Sequence, residues 1–281
     1  MNKLIITKNI IDEFRSYMRL EEKSENTIEK YMRDIKAFCK FIGNQSVTKE
    51  LAIEYKEKLL SDGYAISSVN SVIASLNSFF AFSGCEYLKI KTIKEQRQIF
   101  CPENKELTKQ EYTRLLKAAE RRGNNRLNLI LQTICGTGIR VSELKFITVE
   151  AVKKGEALVF CKGKRRSVFL VKALQKKLFR YAAEHKIHSG CIFITRTGKP
   201  VSRTNIWRDM KKLCKDADVN PDKVFPHNLR HLFARVFYSI EKDIAKLADI
   251  LGHSSINTTR IYIISTGTEH RRRMENMHLV I

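Results

Sequence analysis

The sequence predicts a mainly α protein with one small antiparallel β-sheet, built as an N-terminal helical bundle followed by a larger second domain. Three observations lead there. Residues 1–88 repeat apolar side chains at helical spacing, with no proline and only three glycines. Residues 89–106 lose any sustained period and contain Pro102, the pattern of an exposed linker. Strict alternation appears only near residues 157–170. The expected domains are therefore 1–88, a linker at 89–106, and 107–281 with a C-terminal tail.

Taken in order, a first helix is expected over Ile10–Leu20. Ser24 precedes Ile28, Tyr31, Met32, Ile35, Phe38, Cys39 and Ile42, one helical face that Gly43 ends. Thr48 opens a third helix with Leu51, Tyr55 and Leu59. Ser67 opens a fourth, whose Val69, Val72, Ile73, Leu76, Phe79 and Phe80 run to Ser83-Gly84. This aromatic stripe reads as core. In the linker, Lys89, Lys91, Lys94 and Arg97 suit a phosphate backbone, with a merely solvated linker a close second. Thr108 with Glu111 has capping-box spacing and opens a helix to Arg122. A helix over Leu127–Cys135 leads into Gly136-Thr137-Gly138, so Arg140 is expected at a bend before a helix at Ser142. Ala157–Phe160 and Ser167–Leu170 are expected to pair around the basic turn Lys162-Gly163-Lys164-Arg165-Arg166. Helices are expected at Ala173–His185, Ser202–Ala217, His227–Ile240 and Asp243–Leu251, with a short strand near Cys191–Thr195.

Charge narrows the function class. Lys and Arg number 52 against 30 Asp and Glu, a net +22. Residues 1–100 hold 16 basic and 13 acidic residues, and residues 101–281 hold 36 and 17. A surplus that concentrated points to a polyanion, with nucleic acid ahead of an anionic membrane because no basic amphipathic helix stands out. No apolar run approaches a membrane span. Met1–Ile11 has no small-residue cleavage site, so the expected compartment is the cytoplasm. Seven scattered cysteines without C-x-x-C spacing fit neither a disulfide framework nor a zinc ribbon, and read as reduced, mostly buried thiols.

The chemistry-bearing residues stand in order along the second domain. They are Arg140 in GIRVSEL, Lys162 in the turn, His227 and Arg230 in HNLRH, His253 in LGH, and Tyr262. Two arginines suit a highly charged anion, because each offers a planar fork of donors to phosphate oxygens. Histidine moves protons near neutral pH and tyrosine can act as a covalent nucleophile. A metal reading is weaker. His227 and His231 lie four apart and His253 would be a third ligand, but H-E-x-x-H needs Glu where Asn228 stands, and Arg230 places a cation beside the site.

This ordered set resembles the tyrosine recombinases, the phage-integrase and Xer-like family of site-specific recombinases. GTGIRVSEL, PHNLRH, LADILGHSS and NTTRIYI carry the resemblance, with 23 residues from Arg230 to His253 and nine from His253 to Tyr262. It covers nearly the whole chain and implies a core-binding domain followed by a catalytic one. It implies Arg140 and Arg230 as clamps on the non-bridging phosphate oxygens and Tyr262 as the nucleophile forming a 3′-phosphotyrosine. His227 would be general base or hydrogen-bond partner, His253 a second donor, and Lys162 the acid for the leaving 5′-oxygen, with Glu143 supporting Arg140 from behind. The hairpin departs from the family pattern by about one residue, and has Phe169 where Pro is usual, so Lys164 stays an alternative to Lys162. The implied chemistry needs neither metal nor ATP, since arginines stabilise the growing charge and the phosphotyrosine bond conserves the energy of the phosphodiester. The implied partners are double-stranded DNA and further copies of the chain, a tetramer on two sites, with room for accessory proteins. The tail beyond Tyr262, containing Arg271-Arg272-Arg273, would pack on a neighbouring subunit or contact DNA. A topoisomerase, a non-catalytic DNA-binding regulator and a zinc hydrolase are the competing readings.

Overall fold

The structure, a computed structural model, describes residues 4–43, 45–94, 105–161, 164–263, 271 and 274–277. The chain divides into two compact units, Met1–Arg97 and Gln98–Ile281.

The described residues of the first unit form four α-helices, α1 (Lys8–Leu20), α2 (Glu25–Ile42), α3 (Lys49–Ser61) and α4 (Ile66–Phe82). Thr7, Ser24 and Thr48 each accept a backbone N–H in the first turn of the helix that follows, satisfying a donor that would otherwise lack a partner. Helix α4 starts earlier than Ser67. Its cap is Ala65, which has no side-chain acceptor, and Ile66 already has helical geometry. The expected aromatic stripe is core: Phe14, Phe38, Phe79 and Phe80 are fully buried, with Phe14 edge-on to Phe79 at 5.3 Å. Each such ring contributes roughly 1.5–3 kcal/mol by leaving water.

Residues 90–93, expected within an exposed linker, are held against α4. Asn77 donates to the Ile90 carbonyl (2.9 Å) and accepts from its N–H (3.0 Å), and Asn70 does the same at Ile93 (2.9 and 2.8 Å). The two asparagines lie seven residues apart and so share one face of the helix. They present amides in place of a neighbouring strand. Residues 95–104 of the expected linker lie outside the described residues, while Lys105 and Glu106 at its end are held by Asn228 and Arg235 of the second unit.

The second unit contains α5 (Lys109–Arg121), α6 (Asn125–Thr137), a 3-10 turn (Val141–Phe146), α7 (Val149–Lys154), β1 (Glu156–Cys161) and β2 (Lys164–Phe169). Then follow α8 (Lys172–Glu184), α9 (Arg203–Ala217), α10 (Pro226–Glu241), α11 (Ile244–Leu251) and α12 (Ile256–Ile263). Thr108 and Glu111 form the expected capping box on α5. Strands β1 and β2 pair antiparallel, with Val159 opposite Arg166 and Ala157 opposite Val168. The strand expected near Cys191–Thr195 is instead a pair of isolated bridges, Thr148 with Cys191 and Ile194 with Pro200. Pro200 has no N–H to extend a ladder. Two helices were not anticipated, α7 and α12; the latter reads INTTRIYI, whose β-branched residues disguise it. Among the described cysteines, Cys39, Cys85, Cys135, Cys191 and Cys214 are free thiols. No helix of the described residues is long and apolar enough to cross a membrane.

Candidate active site

The site is assembled where α6 ends, where α11 ends, and along one face of α10. Helix α6 stops at Gly138, which takes a left-handed conformation (φ +64°). A Cβ there would lie 2.5 Å from the Phe233 ring and 2.9 Å from Leu251, so only glycine lets α6 meet α10 and α11 this closely. Two residues on, Arg140 caps the 3-10 turn that replaces the helix expected at Ser142. Its backbone N–H donates to Glu143 Oε2 and its Nη1 to Glu143 Oε1, both at 2.9 Å, and its Nη2 reaches the Gly252 carbonyl at 3.2 Å. Glu143 is 1% exposed. Burial alone would raise its pKa, but the Arg140 N–H and the charges of Arg166 and Arg140 outweigh burial and hold it below the usual carboxylate range.

Arg230 points from α10 into the same region and is almost fully buried. Its Nη1 donates to the Gly138 carbonyl, and its Nη2 to the Leu251 carbonyl (2.6 Å) and His253 Nε2 (3.0 Å). Its Nε–H finds no acceptor among the described residues. Burial and then the Arg140 charge bring its pKa down to about 10, which leaves it protonated at neutral pH. Both guanidiniums therefore converge on the turn Leu251-Gly252-His253. Beside them, Arg140, Glu143, Arg166 and His253 help line a cavity of about 590 Å³.

Because Arg230 can only donate, His253 must accept through Nε2, so its Nδ1–H donates to Thr259 Oγ1 (2.9 Å). Burial, with the charges of Arg230, Arg140 and Arg166, lowers the His253 pKa to about 4 and keeps the ring neutral.

Tyr262, on α12, is 5% exposed, yet its neighbours are polar. Its hydroxyl lies 2.9 Å from His227 Nε2. The Arg230 guanidinium carbon is 5.8 Å from the ring centroid, and the His231 ring stacks on it at 4.1 Å and 13°. His227 keeps an exposed edge while the other packs on Tyr262. Partial desolvation, followed by the charges of Arg230, Arg140 and Arg203, lowers its pKa, so it is a neutral acceptor at pH 7.

Of the six residues singled out in the sequence, five come together: Arg140, His227, Arg230, His253 and Tyr262. Lys162 lies outside the described residues, and for Lys164 only the backbone is described, as the first residue of β2. Sequence reasoning missed His231 as the stacking partner of Tyr262, although its i+4 spacing from His227 was visible. It also missed Arg166 and Thr259. Arg166 carried a signal, since an arginine stands on the strand face where alternation calls for an apolar residue. Among the described residues no group of three His, Cys, Asp or Glu side chains is placed to hold a metal.

The fold and site define an enzyme that carries a tyrosine hydroxyl beside a pair of guanidiniums converging on one turn. Residues 105–269 match the family model described as the phage integrase family, and residues 11–84 match the phage integrase N-terminal SAM-like domain. The tyrosine recombinase XerA of Pyrococcus horikoshii is 32% identical over 285 residues, covering 98% of this chain and 96% of that protein. A lambda integrase dimer bound to a COC′ core site superposes with a TM-score of 0.75 at 18% identity, over 93% of this chain and 96% of that one. A lambda integrase tetramer bound to a Holliday junction gives 0.74 at 18%, over 93% and 78%. The chain belongs to the phage integrase family, the tyrosine recombinases, and its activity is site-specific DNA recombination.

Proposed function

We propose that Tyr262 Oη attacks the scissile phosphate of a DNA strand, forming a 3′-phosphotyrosine as the P–O5′ bond breaks. The phenolic proton passes to His227 Nε2, and a proton from Lys162 (or Lys164) goes to the departing 5′-oxygen. Attack by a 5′-hydroxyl on the phosphotyrosine reverses these steps and joins strands. The observation that carries this reading is the placement of the Tyr262 hydroxyl 2.9 Å from a neutral imidazole, beside two guanidiniums that converge on one turn. Arg140 and Arg230 hold the non-bridging oxygens, where charge grows in the transition state.

His253 accepts from Arg230 as the site stands. To serve as a second donor it must exchange that bond for the phosphate and present a proton on Nε2, either by taking one up or by shifting tautomer with Thr259 Oγ1 donating to Nδ1. The anion itself promotes both, because its charge draws the Arg230 N–H groups and raises the pKa of a nearby imidazole. In this reading the partners are double-stranded DNA, a homo-tetramer assembled on two sites, and accessory proteins, with the reaction taking place in the cytoplasm. The basic surplus of residues 101–281 supports the DNA partner, and the lambda integrase assemblies support the stoichiometry by shared fold.

A nicked suicide duplex, whose short 5′ fragment diffuses away, should trap a covalent adduct on a denaturing gel. Tyr262→Phe should give none; an adduct from that variant would refute Tyr262 as nucleophile.

A further inference from the structure

The inward face of the hairpin contains one residue that packing does not explain. Ala157, Val159 and Val168 are buried apolar side chains on that face, and Arg166, directly opposite Val159, belongs to the same row. Its neighbour Arg165 points outward, over the Phe160 ring at 5.0 Å. Arg166 Nη2 donates to Glu143 Oε2 at 2.5 Å, and Nη1 to the Ile250 carbonyl at 2.7 Å. Glu143 is the carboxylate that holds Arg140, through its other oxygen and through the Arg140 N–H. Ile250 lies in the last turn of α11, three residues before His253. The Arg166 stem also crosses Gly252, where any Cβ would come within 3.0 Å of Arg166 Cδ. One side chain thus touches the hairpin, the carboxylate behind the first guanidinium, and the turn that presents His253.

An Arg–Glu–Arg group centred on a buried carboxylate is a poor device for stability, because desolvating Glu143 and most of Arg166 offsets much of their attraction. It is a good device for geometry, since a planar fork fixes two acceptors relative to each other.

We infer that Arg166 is a positioning residue for the phosphate clamp, setting Arg140 through Glu143 and His253 through the Ile250 carbonyl. This rests on the proposed role of the clamp. Lysine cannot replace it: an ammonium reaches one of the two acceptors and leaves the other unheld.

The test is single-turnover cleavage of the nicked duplex at saturating DNA by Arg166→Lys and Arg166→Gln in the full chain. The rate constant is read from the enzyme that folds, so partial misfolding lowers the amplitude and not the rate. Both variants should cleave about tenfold to a hundredfold more slowly, the cost of a small misplacement of catalytic groups, with DNA affinity unchanged. Combining Arg166→Gln with Glu143→Gln should cost less than the sum of the two single losses, because the two changes share the Arg166–Glu143 link while the Ile250 link is lost only with Arg166. A duplex with sulfur in place of the bridging 5′-oxygen needs no proton on its leaving group, and the defect should persist on it. Wild-type rates in both variants would overturn the inference, as would additive losses or a defect that vanishes on the sulfur substrate. Wild type and Tyr262→Phe run alongside: loss of the Tyr262-dependent adduct in wild type would sink the proposed function itself, a separate outcome.

Discussion

Gly138 is held by two independent constraints, a left-handed backbone and the Phe233 ring pressed against its α-carbon. Gly138→Ala should therefore cost about 1–3 kcal/mol in backbone strain alone, with the clash adding to it, and thermal melting should show the loss. At the histidines the issue is protonation. His231 and His253 have pKa values near 4, each lowered first by burial and then by neighbouring positive charge, against an ordinary 6.5. A histidine whose folded pKa is depressed contributes stability above its unfolded pKa and loses it as pH falls toward the folded one. The melting temperature should thus hold steady above about pH 6.5 and decline between 6.5 and 4, less steeply in His231→Phe. A flat melting temperature across that range would contradict the burial of both rings. His231→Ala carries a second expectation: without the stacked ring the phenol loses its aim at His227, and cleavage should slow while DNA binding holds. Single-turnover rates beside a binding titration would show the split.

At the scale of elements, the pairing of Asn70 and Asn77 with Ile93 and Ile90 makes α4 the support for the chain that leaves it. Replacing both asparagines by leucine should accelerate amide exchange at Ile90 and Ile93, whose N–H groups lose the side-chain acceptors that hold them. Unchanged protection would show that packing of Ile90, not the amide pairing, fixes this segment. The same place shows where the sequence was readable and where it was not. Helix starts announced by Thr48, Thr108 and Ser202 lay within a residue of the observed ones, because a capping side chain acts locally. Ala65 caps without a side-chain bond, and α12 forms from β-branched residues because Thr259 and Tyr262 are buried against α10 and α11; both depend on tertiary contacts that no local pattern encodes. In the site, residues with intrinsic chemistry were legible from type and order. The residues that aim them, Arg166 under Gly252 and His231 over Tyr262, depend on contacts between segments distant in sequence or on ring orientation, and spacing alone does not give those.

At the scale of the whole molecule, the charge is distributed according to the work. The net charge is +3 over residues 1–100 and +19 over residues 101–281, from 16 basic against 13 acidic residues and 36 against 17. A phosphate-gripping surface of that kind releases counterions on binding, each neutralised phosphate contributing roughly 0.9 to the log–log salt slope. Affinity for duplex DNA should accordingly fall by about a thousandfold or more between 50 and 200 mM salt, measured by fluorescence anisotropy. A fall of less than tenfold would mean that most of the surplus charge never meets a phosphate. The same cations bear on the chemistry. Arg230 is buried beside Arg140 with an N–H that finds no acceptor among the described residues, an arrangement that is costly until an anion arrives. A divalent ion would add a third positive centre to a cluster that already depresses the pKa of every imidazole around Tyr262, and would compete with Arg230 for the same oxygens. Adduct formation on the nicked duplex should therefore proceed at the same rate with a chelator in excess as without it. A rate that collapses with chelator and returns with magnesium would mean that the guanidiniums alone do not carry the transition-state charge.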